Sequence, residues 1–202
     1  MKVLGSITSG NCYKVKLAMA LLGIDHEWQH IAIAKGDTRT PEFLALNPNG
    51  MIPVLVLDDG QALTESNAIV DYLAEGSWLM PTGRLQRARV LEWQFFEQYN
   101  HEPNVGMARF IRKFLGLPDS HKAVYEEKLA GGYKALAIME RQLSKTPYLV
   151  GDHYTAADIS LYAYTHVAHE AGFDLAPFPA MRGWLERIRQ HPGHVTMEQV
   201  QV

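Results

Sequence analysis

The chain has 202 residues, 47% of them hydrophobic and 20% charged, which excludes intrinsic disorder, collagen-like repeats and coiled coil and suffices for one generous core or two small ones. Nineteen Lys and Arg against 22 Asp and Glu give a net charge of -3, so there is no excess of cations to displace the counterions of nucleic acid. A single cysteine excludes an intramolecular disulfide, and with no export signal at Met1 and no apolar run near the roughly 20 residues of a membrane span, the expected setting is the reducing cytoplasm.

Lys2 to Ile7 is short and rich in β-formers, and Cys12 to Gly23 follows as a helix with Val15, Ala18, Met19 and Leu22 on one face and a glycine past its end. Glu27 to Ile33 reads as a second strand, and a helix-length crossover between two short strands predicts a parallel pair. A short helix around Pro41 to Leu46 comes next. Val54 to Leu57, closed by Asp58-Asp59-Gly60, and then Gln61 to Leu63 predict a hairpin. Glu65 to Ala74 is a helix with Ile69, Tyr72 and Leu73 facing inward. The order β-α-β, short helix, β-β-α is that of a thioredoxin-like domain, expected over residues 1–77.

Residues 78–83, with Pro81 and Gly83, read as a linker, and 84–202 as an all-helical domain. Its helices are expected over Arg84 to Tyr99, broken or kinked by Pro103 and resumed over Met107 to Leu115; over Tyr125 to Leu143, with Leu129, Tyr133, Leu136 and Leu143 on one side; over Thr155 to Ala171; and over Pro179 to Gln190. Gly131-Gly132 inside the second of these cost about 1 kcal/mol each against alanine, which implies a close helix contact there. Thr155 and Asp158 have the spacing of a capping box at the head of an apolar helix.

Three stretches carry a family resemblance: Asn47-Pro48-Asn49-Gly50-Met51-Ile52-Pro53-Val54 before a strand, Thr64-Glu65-Ser66-Asn67-Ala68-Ile69 opening a helix, and Gly151-Asp152-His153-Tyr154-Thr155-Ala156-Ala157-Asp158 in the helical half. With these motifs at matching spacing over nearly the whole chain, the sequence resembles the cytosolic glutathione transferases, whose fold is an α/β thioredoxin-like domain followed by an all-α domain. Ser9-Gly10-Asn11-Cys12 at the first strand-to-helix turn is most similar to the serine-type branches, the theta, zeta and related bacterial classes.

The resemblance implies that glutathione is the co-substrate. It implies a cis Pro53, with Ile52 offering its backbone N–H and C=O to the cysteinyl part of the tripeptide. Glu65 and Ser66, at a helix N-terminus that favours anions, would hold the γ-glutamyl end. The glycyl carboxylate would take Lys35, Arg39 or Asn49; many relatives carry Lys or Gln where Met51 stands, so one polar contact is missing. Ser9 ranks first for activating the sulfur, by donating its hydroxyl, with Asn11 second through its amide. Cys12 ranks third, as a thiol able to form a mixed disulfide, although a buried structural cysteine is its better reading. Each of Thr64, Ser66 and Ser9 also reads as an ordinary helix cap.

Facing Ser9, the resemblance implies a pocket for a small hydrophobic electrophile lined by Tyr99, His101, Met107 and Phe110, joined by Pro103 and Tyr164, though aromatic and Met residues at such spacing equally suit a core. The histidine pairs 166/169 and 191/194 lack a third ligand at recognisable spacing, so no metal is expected. The predicted activity is glutathione transfer by a homodimer. The alternatives are a glutathione-dependent peroxidase, dehalogenase, isomerase or disulfide reductase, and a non-catalytic interaction module of the same fold.

Overall fold

The structure, a computed structural model, describes residues 1–199. The chain divides into two compact units: Met1–Ser77 together with the chain from Pro192 on, and Trp78–His191.

In the first unit a four-stranded sheet has the order β2-β1-β3-β4. β1 (Lys2–Gly5) pairs in parallel with β2 (Glu27–His30), Lys2 opposite Glu27 and Gly5 opposite His30. β3 (Val54–Val56) runs antiparallel to β1, with Leu4 opposite Val54, and β4 (Ala62–Leu63) closes the hairpin against β3. The parallel pair is joined by α1 (Gly10–Leu22), as the crossover spacing predicts. Gly23 ends α1 in the left-handed region at φ 65°, and the N–H of Ile24 reaches back to the carbonyl of Met19 at 2.9 Å, the bond that tucks in a helix end.

Two predicted strands are shorter than expected because side chains claim their backbone. β1 stops at Gly5, since the Ser6 N–H donates to the sulfur of Cys12 and the Ser6 carbonyl accepts from Ser9. β2 stops at His30, since Asp37 accepts the N–H of Ala32 at 2.8 Å and turns the chain into two 3₁₀ turns, Ile33–Lys35 and Asp37–Arg39. Thr40 then caps α2 (Pro41–Leu46), with Pro41 in the first turn where its missing N–H costs nothing. α3 (Ser66–Ala74) packs on α1 and buries Ile69, Val70 and Leu73; Tyr72, expected inside, is 52% exposed.

From Cys12 to Met19 every residue of α1 is buried, Lys14 and Lys16 included. The segment after Pro192 covers part of this helix: the Tyr13 hydroxyl donates to the Val195 carbonyl at 2.7 Å, and the Lys16 ammonium donates to the Met197 carbonyl at 3.0 Å and to that of Gln199. The stretch from Pro192 through residue 199 therefore belongs to the first unit, outside the helical domain expected over residues 84–202.

The second unit begins at Trp78, so the stretch expected to be a linker is part of it. Leu79 is fully buried and its carbonyl accepts the N–H of Ala156 at 3.0 Å. α4 (Arg84–Phe96) runs without a break into a wide-turn, i→i+5 helix over Glu97–Gly106, then α5 (Met107–Arg109), then a second wide turn over Phe110–Phe114. Pro103 therefore does not end the helix: it sits inside the wide-turn segment, the kind of local widening by which a helix accommodates a break in its hydrogen-bond ladder. α6 (Lys122–Leu143) lies against this stretch, and at Gly132 an added Cβ would sit 2.3 Å from Cζ of Phe173 and 3.3 Å from Val105, the close contact that the glycine pair predicts.

α7 (Ala156–Thr165) is buried along its whole length and is followed by a 3₁₀ turn, Ala168–Ala171, in place of continued helix. Its capping box is present. Asp158 accepts from the Thr155 N–H at 2.9 Å and the Thr155 hydroxyl at 3.0 Å, and also from the Leu149 N–H at 3.0 Å and Nε1 of Trp184 on α8 (Pro179–Arg189) at 2.9 Å. Burial nevertheless pushes its carboxyl up to about 6, with these donors pulling in the opposite direction.

Candidate functional site

The first β-to-α turn sets Ser9 as the N-cap of α1, at φ -89° and ψ 123°, with its Oγ accepting the Cys12 N–H at 3.3 Å. A hydroxyl that accepts a capping bond keeps its own proton for another partner, so capping and donation are compatible at this one oxygen. Asn11 lies in the first turn, half-buried. Cys12 is fully buried; its Sγ receives the Ser6 N–H at 3.5 Å, and burial pushes its thiol up to about 11. Tyr13 spends its hydroxyl on Val195, with Nε2 of His194 at 3.2 Å, so it does not turn toward Ser9.

The N-terminus of α3 stands against the same end of α1. Glu65, exposed and immediately before the helix, holds φ at +65°, a left-handed conformation that costs a non-glycine residue on the order of 1 kcal/mol or more and that the surrounding fold must enforce. The consequence is that Ser66 opens α3 with its N–H among those that a helix leaves without an internal acceptor. Ser66 is buried; its Oγ receives Nζ of the fully buried Lys14 at 3.3 Å and donates to Oδ1 of Asn11 at 3.3 Å. This three-membered contact joins two helix starts and brings Ser66, Asn11 and, through α1, Ser9 into one site.

The third edge is the loop before β3. The Ile52-Pro53 peptide is cis, as expected, and Ile52 lies outside the β1–β3 register, which begins at Val54. The loop is built on Asn47, which is buried and uses its whole amide: Nδ2 donates to the Met51 carbonyl at 2.8 Å and Oδ1 accepts the Asn49 N–H at 3.1 Å. Gly50 turns the chain at φ +62°, where an added Cβ would lie 2.3 Å from Nη1 of Arg39. That guanidinium bonds the Asn49 carbonyl at 3.4 Å. Lys35, Arg39 and Asn49 are all exposed, the first two in the 3₁₀ turns where the sequence predicted loops.

The residues expected at the electrophile pocket separate. Tyr99 is 84% exposed, and Met107 and Phe110 are close to half exposed. His101 is fully buried, its Nε2 2.9 Å from Oγ1 of Thr165; because that hydroxyl gives its proton to the Leu161 carbonyl at 2.7 Å, the imidazole is the donor. A concavity of about 410 Å³ in the first unit is lined by Leu4, His30, Phe43, Leu46 and Val56, and one of about 520 Å³ in the second by Leu85, Trp93, Phe96, Ile138 and Leu149; neither contains any of the predicted site residues. Among the described residues no three His, Cys, Asp or Glu side chains converge as metal ligands, and no helix is long and apolar enough to cross a membrane.

Sequence reasoning missed Lys14 and gave no role to Asn47. Lys14 and Lys16 are the two charged residues between Cys12 and Met19, in a stretch otherwise made of core residues; the pattern marks them as unusual but does not show what either one holds.

Residues 8–75 match the family model of the glutathione S-transferase N-terminal domain and residues 122–187 that of the C-terminal domain. The chain is 33% identical over 204 residues to glutathione S-transferase 3 of Zea mays, covering 95% of this chain and 90% of that protein. Among solved structures it is similar to a glutathione S-transferase from Pseudomonas fluorescens Pf-5, with 56% identity, 98% of each chain covered and a TM-score of 0.97. It is also similar to the glutathione transferase URE2P6 from Phanerochaete chrysosporium, solved in complex with oxidized glutathione, with 25% identity, 95% and 91% covered and a TM-score of 0.86.

Proposed function

The chain belongs to the glutathione S-transferase family, and from that premise we propose that it binds reduced glutathione on its N-terminal unit and directs the thiolate at a small hydrophobic electrophile in the cytoplasm. The observation that carries the reading is Ser9: a capping hydroxyl with its proton uncommitted, at the positive end of a 13-residue helix. A thiol near pKa 8.5 needs a downward shift of about 1.5 units to be half ionised at pH 7, which is about 2 kcal/mol. A hydrogen bond to a charged group contributes about 1.5–3 kcal/mol and the helix end about 0.3–1 kcal/mol, so Ser9 on α1 supplies enough.

The rest of the tripeptide follows from charge and hydrogen bonding. The γ-glutamyl carboxylate belongs at the Ser66 N–H, its ammonium at the exposed Glu65 carboxylate, and the cysteinyl amide at the backbone of Ile52 beside Pro53. The glycyl carboxylate takes Arg39, Lys35 or Asn49, on the two 3₁₀ turns and the loop that Arg39 ties together. In the transfer, the thiol loses its proton to solvent, the sulfur lone pair forms a bond to the electrophilic carbon, and a leaving group or π bond takes up the displaced electrons. The exposed Tyr99, Met107 and Phe110 are assigned to the electrophile, whereas His101 is buried in the helical core against Thr165 and is not. We assign the working form as a homodimer.

Calorimetric titration with reduced glutathione tests the reading. Binding at micromolar to millimolar ligand is expected, with an ultraviolet thiolate band in the complex at pH 7 that weakens at least tenfold in Ser9→Ala. Absence of binding at millimolar glutathione overturns the reading.

A further inference from the structure

The buried contact between Lys14, Ser66 and Asn11 has a direction. A lysine ammonium donates and never accepts, so in the 3.3 Å contact the Ser66 oxygen is the acceptor, and its own proton goes elsewhere. That proton goes to Asn11, 3.3 Å away. In this contact the Asn11 acceptor is Oδ1, so the carbonyl faces Ser66 and the NH₂ faces away from it. With the lysine on one of its two lone pairs the Ser66 hydroxyl is biased toward donating; without it both lone pairs are open to the NH₂, and the amide turns over more readily. The difference matters for an anion: an NH₂ turned toward a thiolate stabilises it, whereas a carbonyl oxygen in the same place repels it.

We propose that Lys14 is a positioning residue that acts through Ser66 to lock the Asn11 carboxamide with its NH₂ as a second donor to the glutathione sulfur, beside the Ser9 hydroxyl. The proposal rests on the reading of the N-terminal unit as a glutathione site. Lys14 touches neither substrate nor sulfur. Its burial within α1 keeps its Nζ from solvent, and so keeps the direction of the relay fixed. The Ser66 hydroxyl is thereby committed to Asn11, which leaves its backbone N–H as the group for the γ-glutamyl carboxylate.

The test is a pH titration of the thiolate absorbance of bound glutathione, with kcat followed over the same pH range, in the full-length wild type and in Asn11→Ala, Lys14→Met and Ser66→Ala. Each variant is expected to raise the apparent pKa of the bound thiol by about one unit, a tenfold loss of thiolate and of kcat at pH 6.5 that is recovered at pH 9. A merely structural role for Lys14 would lower the rate equally at both pH values. Lys14→Met added to Asn11→Ala is expected to produce no further shift, because both act through one amide. A folded Lys14→Met with an unshifted profile, or a double variant whose shifts add, overturns the relay. If Lys14→Met does not fold, Ser66→Ala, which removes one oxygen, decides the same point: a raised KM with an unmoved pH profile overturns it. A wild type without glutathione binding overturns both the function and the relay, whereas a wild type with a normal thiolate band beside unshifted variants overturns the relay alone.

Discussion

Cys12 directly follows Asn11 in the first turn of α1, but its sulfur faces the core, where it accepts the Ser6 N–H and lies where a Cβ on Gly5 would reach it at 3.0 Å. Burial raises its thiol to about 11, so the proton stays on through the physiological range: at pH 8 only about one thiol in a thousand is ionised. Ser9, three residues earlier, has the opposite setting, at the helix end with a proton to give. Iodoacetamide is therefore expected to leave the native protein unlabelled at pH 8, to label it as the pH approaches 11, and to label it at pH 8 once urea has unfolded it; mass spectrometry of the adduct reads all three. Cys12→Ala is expected to lower stability by about 1–2 kcal/mol through the lost packing while leaving glutathione conjugation within about twofold. Loss of activity in a folded Cys12→Ala would place the chemistry on sulfur redox instead.

At the scale of elements, two glycines inside helices give opposite expectations. Gly132 on α6 has no room: its Cβ would meet a Phe173 ring that is itself buried and held edge-on by Tyr133 at 5.0 Å. Gly183 on the exposed side of α8 has nothing within 4 Å. Gly132→Ala is expected to destabilise by about 1–3 kcal/mol through overpacking, and Gly183→Ala to stabilise by about 0.4–1 kcal/mol through the unfolded state, both read by urea denaturation. The sequence shows Gly131-Gly132 to be a close contact because glycine there contradicts helix propensity, and it shows α7 because Thr155-Asp158 mark a helix start by local chemistry. It does not show that Pro103 is carried through, since a wide turn has no residue signature, nor that Tyr72 faces out, since a period of 3.6 gives a face and not its limits. In the site, Ser9 was legible as a cap and the cis Pro53 from the family's motif; the cap reading of Thr64 or Ser66 fails, since α3 starts after Glu65 with no side-chain cap and Ser66 is its first residue. Lys14 was not legible, because its meaning depends on Ser66, 52 residues away in sequence. The attachment of the Pro192 segment to α1 was hidden for the same reason: Lys16 and Tyr13 find their acceptors about 180 residues on.

For the molecule as a whole, α4 leaves apolar surface in water. Leu91 and Phe95 stand one turn apart on this helix and are 45% and 73% exposed. Isolated exposed leucines are ordinary, but a leucine and an aromatic ring one above the other have the composition of an interface centre, where aromatic residues are enriched and charges depleted. A two-fold interface uses each residue twice, so one Phe95 covered in both copies contributes about 3–6 kcal/mol from two side chains at about 1.5–3 kcal/mol each. A carboxylate at that position enters the contact twice and meets its own copy across the axis. Light scattering on the eluting protein is expected to give the mass of two chains for the wild type and of one for Phe95→Asp, with the far-ultraviolet circular dichroism unchanged because Phe95 is not part of the core. A wild type that elutes as a single chain, or a Phe95→Asp variant that keeps the mass of two, removes this face from the assembly.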